Sequence, residues 1–157
     1  METERKFLVM ADKTPSLQKG ALIEQGYLVF QNPPEVPVEL RLRRVNRADW
    51  FLTVKSGNAP TRVEVELSIA PDQFSELWPL TEGRRVFKRR WRIPIAGGLT
   101  AELDVYEGVR AGLQVVEVEF SSESQARLFT PPLWFGQEVT HDTVILMLNW
   151  LVDPATE

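Results

Sequence analysis

The chain has 157 residues, 22 acidic against 18 basic, 43% of them hydrophobic and 25% charged. That is the balance of an ordinary soluble globular protein, long enough to bury a core in one domain spanning residues 1–157. A net charge of -4 argues against nucleic acid or an anionic membrane as a partner, and the absence of cysteine removes disulfides, thiolate metal sites and a cysteine nucleophile together. The single histidine, His141, cannot build a histidine metal site and reads as a cap or surface residue. No apolar run approaches the roughly 18 residues of a membrane span, and the N-terminus is charged and strand-like rather than a signal peptide, so a cytoplasmic location is expected. Any metal must therefore be held by oxygen, which favours magnesium, manganese or calcium and makes zinc a poor fit.

The chain opens on METERKFLV, which sets Glu2, Glu4 and Lys6 two residues apart. In a strand these three share one face while Thr3, Arg5 and Phe7 share the other. Residues 16–25, SLQKGALIEQ, read as a short helix capped by Ser16 and weakened by Gly20. QNPPEVPV reads as a stiff extended connector. It leads into VELRLRRV, with Arg41 and Arg43 on one face and Leu40 and Leu42 on the other. WFLTVKSG carries Lys55, and TRVEVELSI sets Glu64 and Glu66 opposite Val63, Val65 and Leu67.

PDQFSELWPL, residues 71–80, predicts a helix opened by Pro71, with Phe74, Leu77 and Trp78 on one side. VFKRRWRIPI then places Lys88, Arg90 and Arg92 at alternate positions. Past the Gly97-Gly98 turn, LTAELDVYEG sets Glu102 and Asp104 opposite Leu103 and Val105. LQVVEVEFSS sets Glu117 and Glu119 opposite Val116, Val118 and Phe120. Ser122 with Gln125 predicts a capping box for a short helix over ESQARLF, and a last helix is expected from about Thr140 over VILMLNWLV.

The polar faces are sorted rather than mixed: acidic pairs alternate along the chain with basic sets. Like charges two apart on a strand repel, so something must offset the repulsion. A divalent cation does so for the acids and a polyanion for the bases; arginine's donor fork matches phosphate oxygens, and lysine acts as a movable point charge. About eight antiparallel strands can close into a barrel whose alternate residues enter a lumen wide enough for one small ligand. The expected fold class is thus mainly β (α+β): a closed eight-stranded antiparallel barrel with a few flanking helices. Its outer apolar faces would need cover that few helices can supply, and exposed apolar residues there make a homodimer reasonable.

Glu2-x-Glu4-x-Lys6, followed in order by GYL at 26–28, RLR at 41–43, LTVK at 52–55, EVEL at 64–67, KRRW at 88–91, ELDVYEG at 102–108, VEVEF at 116–120 and PPLWFGQEVTHD at 131–142, resembles the CYTH superfamily, the triphosphate tunnel metalloenzymes. The resemblance implies an eight-stranded tunnel with charged residues inside and metal-dependent work on triphosphates. Position by position, it implies that Glu2, Glu4, Glu117 and Glu119 hold Mg2+ or Mn2+. Lys6, Arg41, Arg43, Lys55, Lys88 and Arg90 would grip the triphosphate. Glu64, Glu66, Glu102 and Asp104 would bind metal or orient the basic residues.

In such a tunnel catalysis needs positioning and charge stabilisation rather than a nucleophilic side chain. Lys6 and Lys88 are the catalytic candidates, with Tyr27 behind them: a lysine neighbour could lower its hydroxyl pKa, though strand packing is the simpler role. Hydrolysis of inorganic triphosphate is the first reading for so compact a chain. Thiamine or nucleoside triphosphate hydrolysis, or an adenylate cyclase reaction, is the alternative within the tunnel, and a non-catalytic polyphosphate-binding module the alternative outside it.

Overall fold

The computed structural model describes residues 2–28, 38–56 and 61–142. The proline-rich connector up to residue 37, the helix expected over VILMLNWLV, and Trp150 lie outside them. Within them run nine strands: β1 (Glu2–Val9), β2 (Ala21–Leu28), β3 (Val38–Val45), β4 (Asp49–Ser56), β5 (Thr61–Ser68), β6 (Arg85–Ile95), β7 (Leu99–Tyr106), β8 (Gln114–Phe120) and β9 (Phe135–Glu138). Two short helices accompany them, α1 (Pro71–Leu77) and α2 (Glu123–Leu128).

The strands form one antiparallel sheet in the order β5-β4-β3-β2-β6-β7-β8-β1-β9. It curls until β1 and β5 meet, among the described residues through Glu2 opposite Arg62 and Thr3 opposite Thr61. Further along the same edge of β1, β9 takes over, with Phe7 opposite Glu138 and Val9 opposite Phe135. The expected closed eight-stranded barrel is therefore corrected: among the described residues there are nine strands, and the sheet they form is not closed along its length because one edge of β1 is divided between β5 and β9. Arg5 fastens β9 there, its Nε and Nη2 donating to the two Glu138 carboxylate oxygens at 2.8 and 2.6 Å. A fork-to-fork pair of this kind outweighs the slight propensity of so short a strand.

The helix expected over residues 16–25 is also corrected. Ala21, Leu22, Glu24 and Gln25 are good helix formers, yet this stretch enters β2, which pairs with β3 on one side and β6 on the other. Two full ladders satisfy more backbone than one isolated turn of helix could. Gly26 shows how tightly β2 is covered: a Cβ there would stand 2.4 Å from Thr81 Oγ1. Only glycine lets the turn after α1 press onto this strand.

The other local signals hold. Gly97 and Gly98 take φ of 78° and 69° between β6 and β7, a turn that side chains resist. α1 begins at Pro71, buries Phe74 and stacks it on Trp78 with centroids 5.0 Å apart. The Ser122 hydroxyl accepts the Gln125 N–H to cap α2, while the Gln125 side chain accepts from Ser121 rather than Ser122. On the outer face of β1, β7 and β8, Leu103, Val116 and Val118 are fully buried under α2 and the Trp134-Phe135 pair. Each such side chain contributes about 1.5–3 kcal/mol. Cover is incomplete at β5, where Val63, Val65 and Leu67 stay 57%, 48% and 50% exposed.

Candidate functional site

Register decides which residues meet on the concave face, because side chains directly opposite in an antiparallel pair point the same way. Glu4 faces Glu119 and Lys6 faces Glu117 across β1 and β8. Arg90 faces Asp104, and Glu102 faces Glu117. Tyr27 faces Arg41, Arg41 faces Thr53, and Lys55 faces Glu64. The alternation read from sequence thus gathers both the acidic pairs and the basic sets on one curved surface; for Glu2 the strand position alone is described.

The charges on that surface are paired across strands. Lys6 Nζ lies 2.8 Å from Glu117, Lys55 Nζ 2.7 Å from Glu64, and Arg43 Nη2 2.5 Å from Glu66. Lys88 Nζ donates to Asp104 Oδ2 at 2.6 Å, and Arg90 grips both Asp104 oxygens at 2.6 Å while also reaching Glu102 and, at 3.4 Å, Glu117. Repulsion along each strand is offset first by the neighbouring strand. Glu64, Glu66, Glu102 and Asp104 consequently stand as partners of the cations.

Two donors are left over. Arg41 Nε and Arg43 Nε are buried and have no hydrogen-bond partner among the described residues, although Arg41 lies within 3.7 Å of Glu39 and Glu64 carboxylate oxygens. Buried N–H groups are rarely left so, and a phosphate oxygen is the acceptor that suits a guanidinium edge.

Burial bends the acid-base chemistry. It pushes the Lys88 ammonium down to about 8 even though Asp104 pulls the other way. Burial would raise the carboxyls of Asp104 and Glu117, but Lys88 and Arg90 beside the first, and Lys6 and Arg90 beside the second, hold both below the usual carboxylate range. Tyr27 is 1% exposed, and burial drives its hydroxyl up, against the direction a proton-relay role requires. It accepts a hydrogen bond from Gln25 Nε2 at 2.5 Å and packs as a wall residue.

The sequence reading passes over Glu39 and Tyr106. Glu39 sits two residues before Arg41 on the same face, and Tyr106 two after Asp104, opposite Lys88 and 5.5 Å from its ammonium. The alternation that found Arg41 and Asp104 extends to both. Trp50, Trp78, Trp91 and Trp134 lie off the concave face, and His141 is exposed beside Thr140.

Among the described residues, donor chemistry suits a divalent cation at one pair of opposed carboxylates. Glu4 and Glu119 are directly opposed on the concave face, with Glu2 next along β1. Facing carboxylate oxygens suit a hard cation such as magnesium or manganese. Glu117 is engaged by Lys6 and Arg90, and among the described residues no group of three or more acidic or histidine side chains is already gathered for a metal. The seat thus fits in chemistry, with Glu4 and Glu119 as its centre.

The model of the CYTH domain family matches residues 1–138. An inorganic triphosphatase of Nitrosomonas europaea is 46% identical over 141 residues, 90% of each chain. One from Acetivibrio thermocellus is 34% identical over 155 residues, covering 98% of this chain and 94% of its own. A solved inorganic triphosphatase structure, 45% identical, superposes with a TM-score of 0.63 over 90% of this chain and 88% of that one. With the charged concave face already in view, the family match over most of its length establishes that the chain belongs to the CYTH domain family.

Proposed function

We propose that this chain hydrolyses inorganic triphosphate to pyrophosphate and phosphate on its concave face, with Mg2+ or Mn2+ at Glu4 and Glu119. The observation that carries the reading is that the Nε donors of Arg41 and Arg43 are buried with no hydrogen-bond partner among the described residues, beside the ion-paired Lys6, Lys55, Lys88 and Arg90. Names of relatives 46% and 34% identical point the same way. The concave face presents charged groups to a polyphosphate; Phe51, opposite Arg43 and under its guanidinium at 5.4 Å, is occupied by that arginine rather than offered to a base. This favours the inorganic chain over thiamine or nucleoside triphosphates.

Bound metal supplies charge neutralisation on the phosphate oxygens. Arg41, Arg43, Lys55 and Arg90 hold the chain, and their acidic partners fix where those cations point. Lys6 and Lys88 face the reacting end. Lys88, whose ammonium burial pushes down to about 8 in the ligand-free protein, gains a neutral fraction able to take a proton from the attacking water as the pH rises. Tyr27, buried and pushed to higher pKa, serves as wall.

Metal-dependent phosphate release from triphosphate is the wild-type expectation, and Glu4→Gln is expected to lower it by about 100-fold or more. Titration calorimetry should show a matching loss of Mn2+ affinity while circular dichroism stays unchanged. A Glu4→Gln protein with full turnover and full Mn2+ affinity would remove the metal from this seat.

A further inference from the structure

A second basic surface lies outside the concave face. Lys19, Asn46, Arg47 and Arg89, with Ala21 and Leu22 at the start of β2, line a cavity of about 670 Å3. Arg89 stands opposite Leu22 across β6 and β2, whereas its neighbours Lys88 and Arg90 stand opposite Ile23 and Ala21, so Arg89 points away from the concave face. The cavity is firmly framed. The Asn46 N–H donates to the Leu22 carbonyl at 2.8 Å and its Oδ1 accepts the Leu22 N–H at 2.9 Å, while the Trp91 indole N–H donates to the Gln18 carbonyl beside Lys19.

The turn that carries Arg47 is strained. Asn46 and Arg47 are both left-handed, with φ of 51° and 55°, and the Ala48 N–H closes the turn on the Val45 carbonyl at 2.9 Å. Asparagine suits the first of these places, but the second favours glycine, and an arginine there holds a guanidinium at the cavity against the preference of its own backbone. Its ion pairing is slight: Nε lies 3.3 Å from a Glu24 oxygen, and Glu24 is already gripped by Arg44 at 2.6 and 2.7 Å. Arg89 gives its Nε to Glu107 at 2.9 Å. Among the described residues the Nη groups of Arg47 and Arg89 and the Lys19 ammonium make no hydrogen bond or ion pair, which leaves positive charge in surplus over Glu24 and Glu107.

We infer that this cavity is an exterior anion site, separate from the concave face, that takes a small polyvalent oxyanion of the phosphate class. Arg47 from the β3–β4 turn and Arg89 from β6 donate through their Nη groups, and Lys19 adds a point charge. The inference goes beyond the reaction proposed for the concave face and does not depend on it. Because Arg47 and Arg89 are exposed to solvent, the affinity falls as salt rises.

Nitrogen–proton correlation NMR tests the site without turnover, by titrating the protein with sodium pyrophosphate in the presence of chelator and comparing sodium chloride of matched ionic strength. Saturable shifts are expected at the amides of Lys19, Asn46 and Arg47 with pyrophosphate and not with chloride. Arg47→Gly removes the guanidinium and leaves a residue that takes this backbone without strain, so the turn is kept. Arg89→Gln removes the second fork. Each is expected to weaken binding read at Lys19 and Asn46 by at least about tenfold, the value of one hydrogen bond to a charged group, while any response at Arg43 and Glu117 on the concave face keeps its midpoint. No saturable shift at Lys19, Asn46 and Arg47, an equal response to chloride, or an unchanged midpoint at Lys19 and Asn46 in either variant overturns the exterior site.

Discussion

Asp104→Asn is expected to destabilise the protein by about 3–5 kcal/mol, the cost of removing one partner from a buried ion cluster. Asp104 is 1% exposed and is held by Lys88 on one oxygen and by Arg90 on both. Asparagine retains one acceptor and turns an amide donor toward two cations, leaving buried positive charge uncompensated. Urea unfolding should show a lower midpoint at unchanged slope. The pH dependence has a definite sign. A carboxyl with a depressed folded-state pKa stabilises above its unfolded pKa and loses that contribution as pH falls through the folded value. Wild type and variant should accordingly converge in acid. A midpoint within about 0.5 kcal/mol of wild type at neutral pH, the range of inert surface changes, would show that Asp104 is not the counter-charge of this cluster.

Turnover should fall by about 100- to 10,000-fold in Lys88→Arg, the span usual for loss of a general base. Arginine keeps the positive charge and the attraction for phosphate but has no neutral form near pH 8. KM should therefore hold while kcat collapses. In the wild type, kcat/KM should rise with pH through about 8, where the free-enzyme amine becomes neutral. Bound triphosphate adds negative charge beside the ammonium and raises its pKa, so the kcat limb should lie at higher pH. Lys88→Arg should have no limb. Retained turnover, or an unchanged limb in the variant, would move the proton transfer to another group.

Much of this arrangement is legible in the sequence because strand alternation is local. Glu4 and Lys6, Arg41 and Arg43, Glu64 and Glu66, Lys88 and Arg90, and Glu102 and Asp104 could be placed on common faces from spacing alone. β2 was not legible, since Ala21, Leu22, Glu24 and Gln25 favour a helix until β3 and β6 are present to pair with them. β9 is four residues held by Arg5 and Glu138, which lie 133 positions apart. No local pattern marks such a strand, and its place on β1 is what keeps the barrel from closing along its length.

Charge matching was hidden for the same reason. Repulsion between Glu102 and Asp104 is visible along one strand, whereas its relief by Arg90 depends on the register of another. The direction of the Tyr27 shift depends on its burial, which spacing does not give: the nearby cations are outweighed by desolvation. Tyr106 and Glu39, by contrast, follow from the alternation itself, one step beyond residues already identified.

Initial rates of phosphate release from inorganic triphosphate, pyrophosphate, ATP and thiamine triphosphate, each with Mg2+, Mn2+ or chelator, test the central claim most directly. Fast release confined to inorganic triphosphate and abolished by chelator is the predicted result. Equal or faster release from ATP or thiamine triphosphate, or release from inorganic triphosphate that survives chelation, would contradict it.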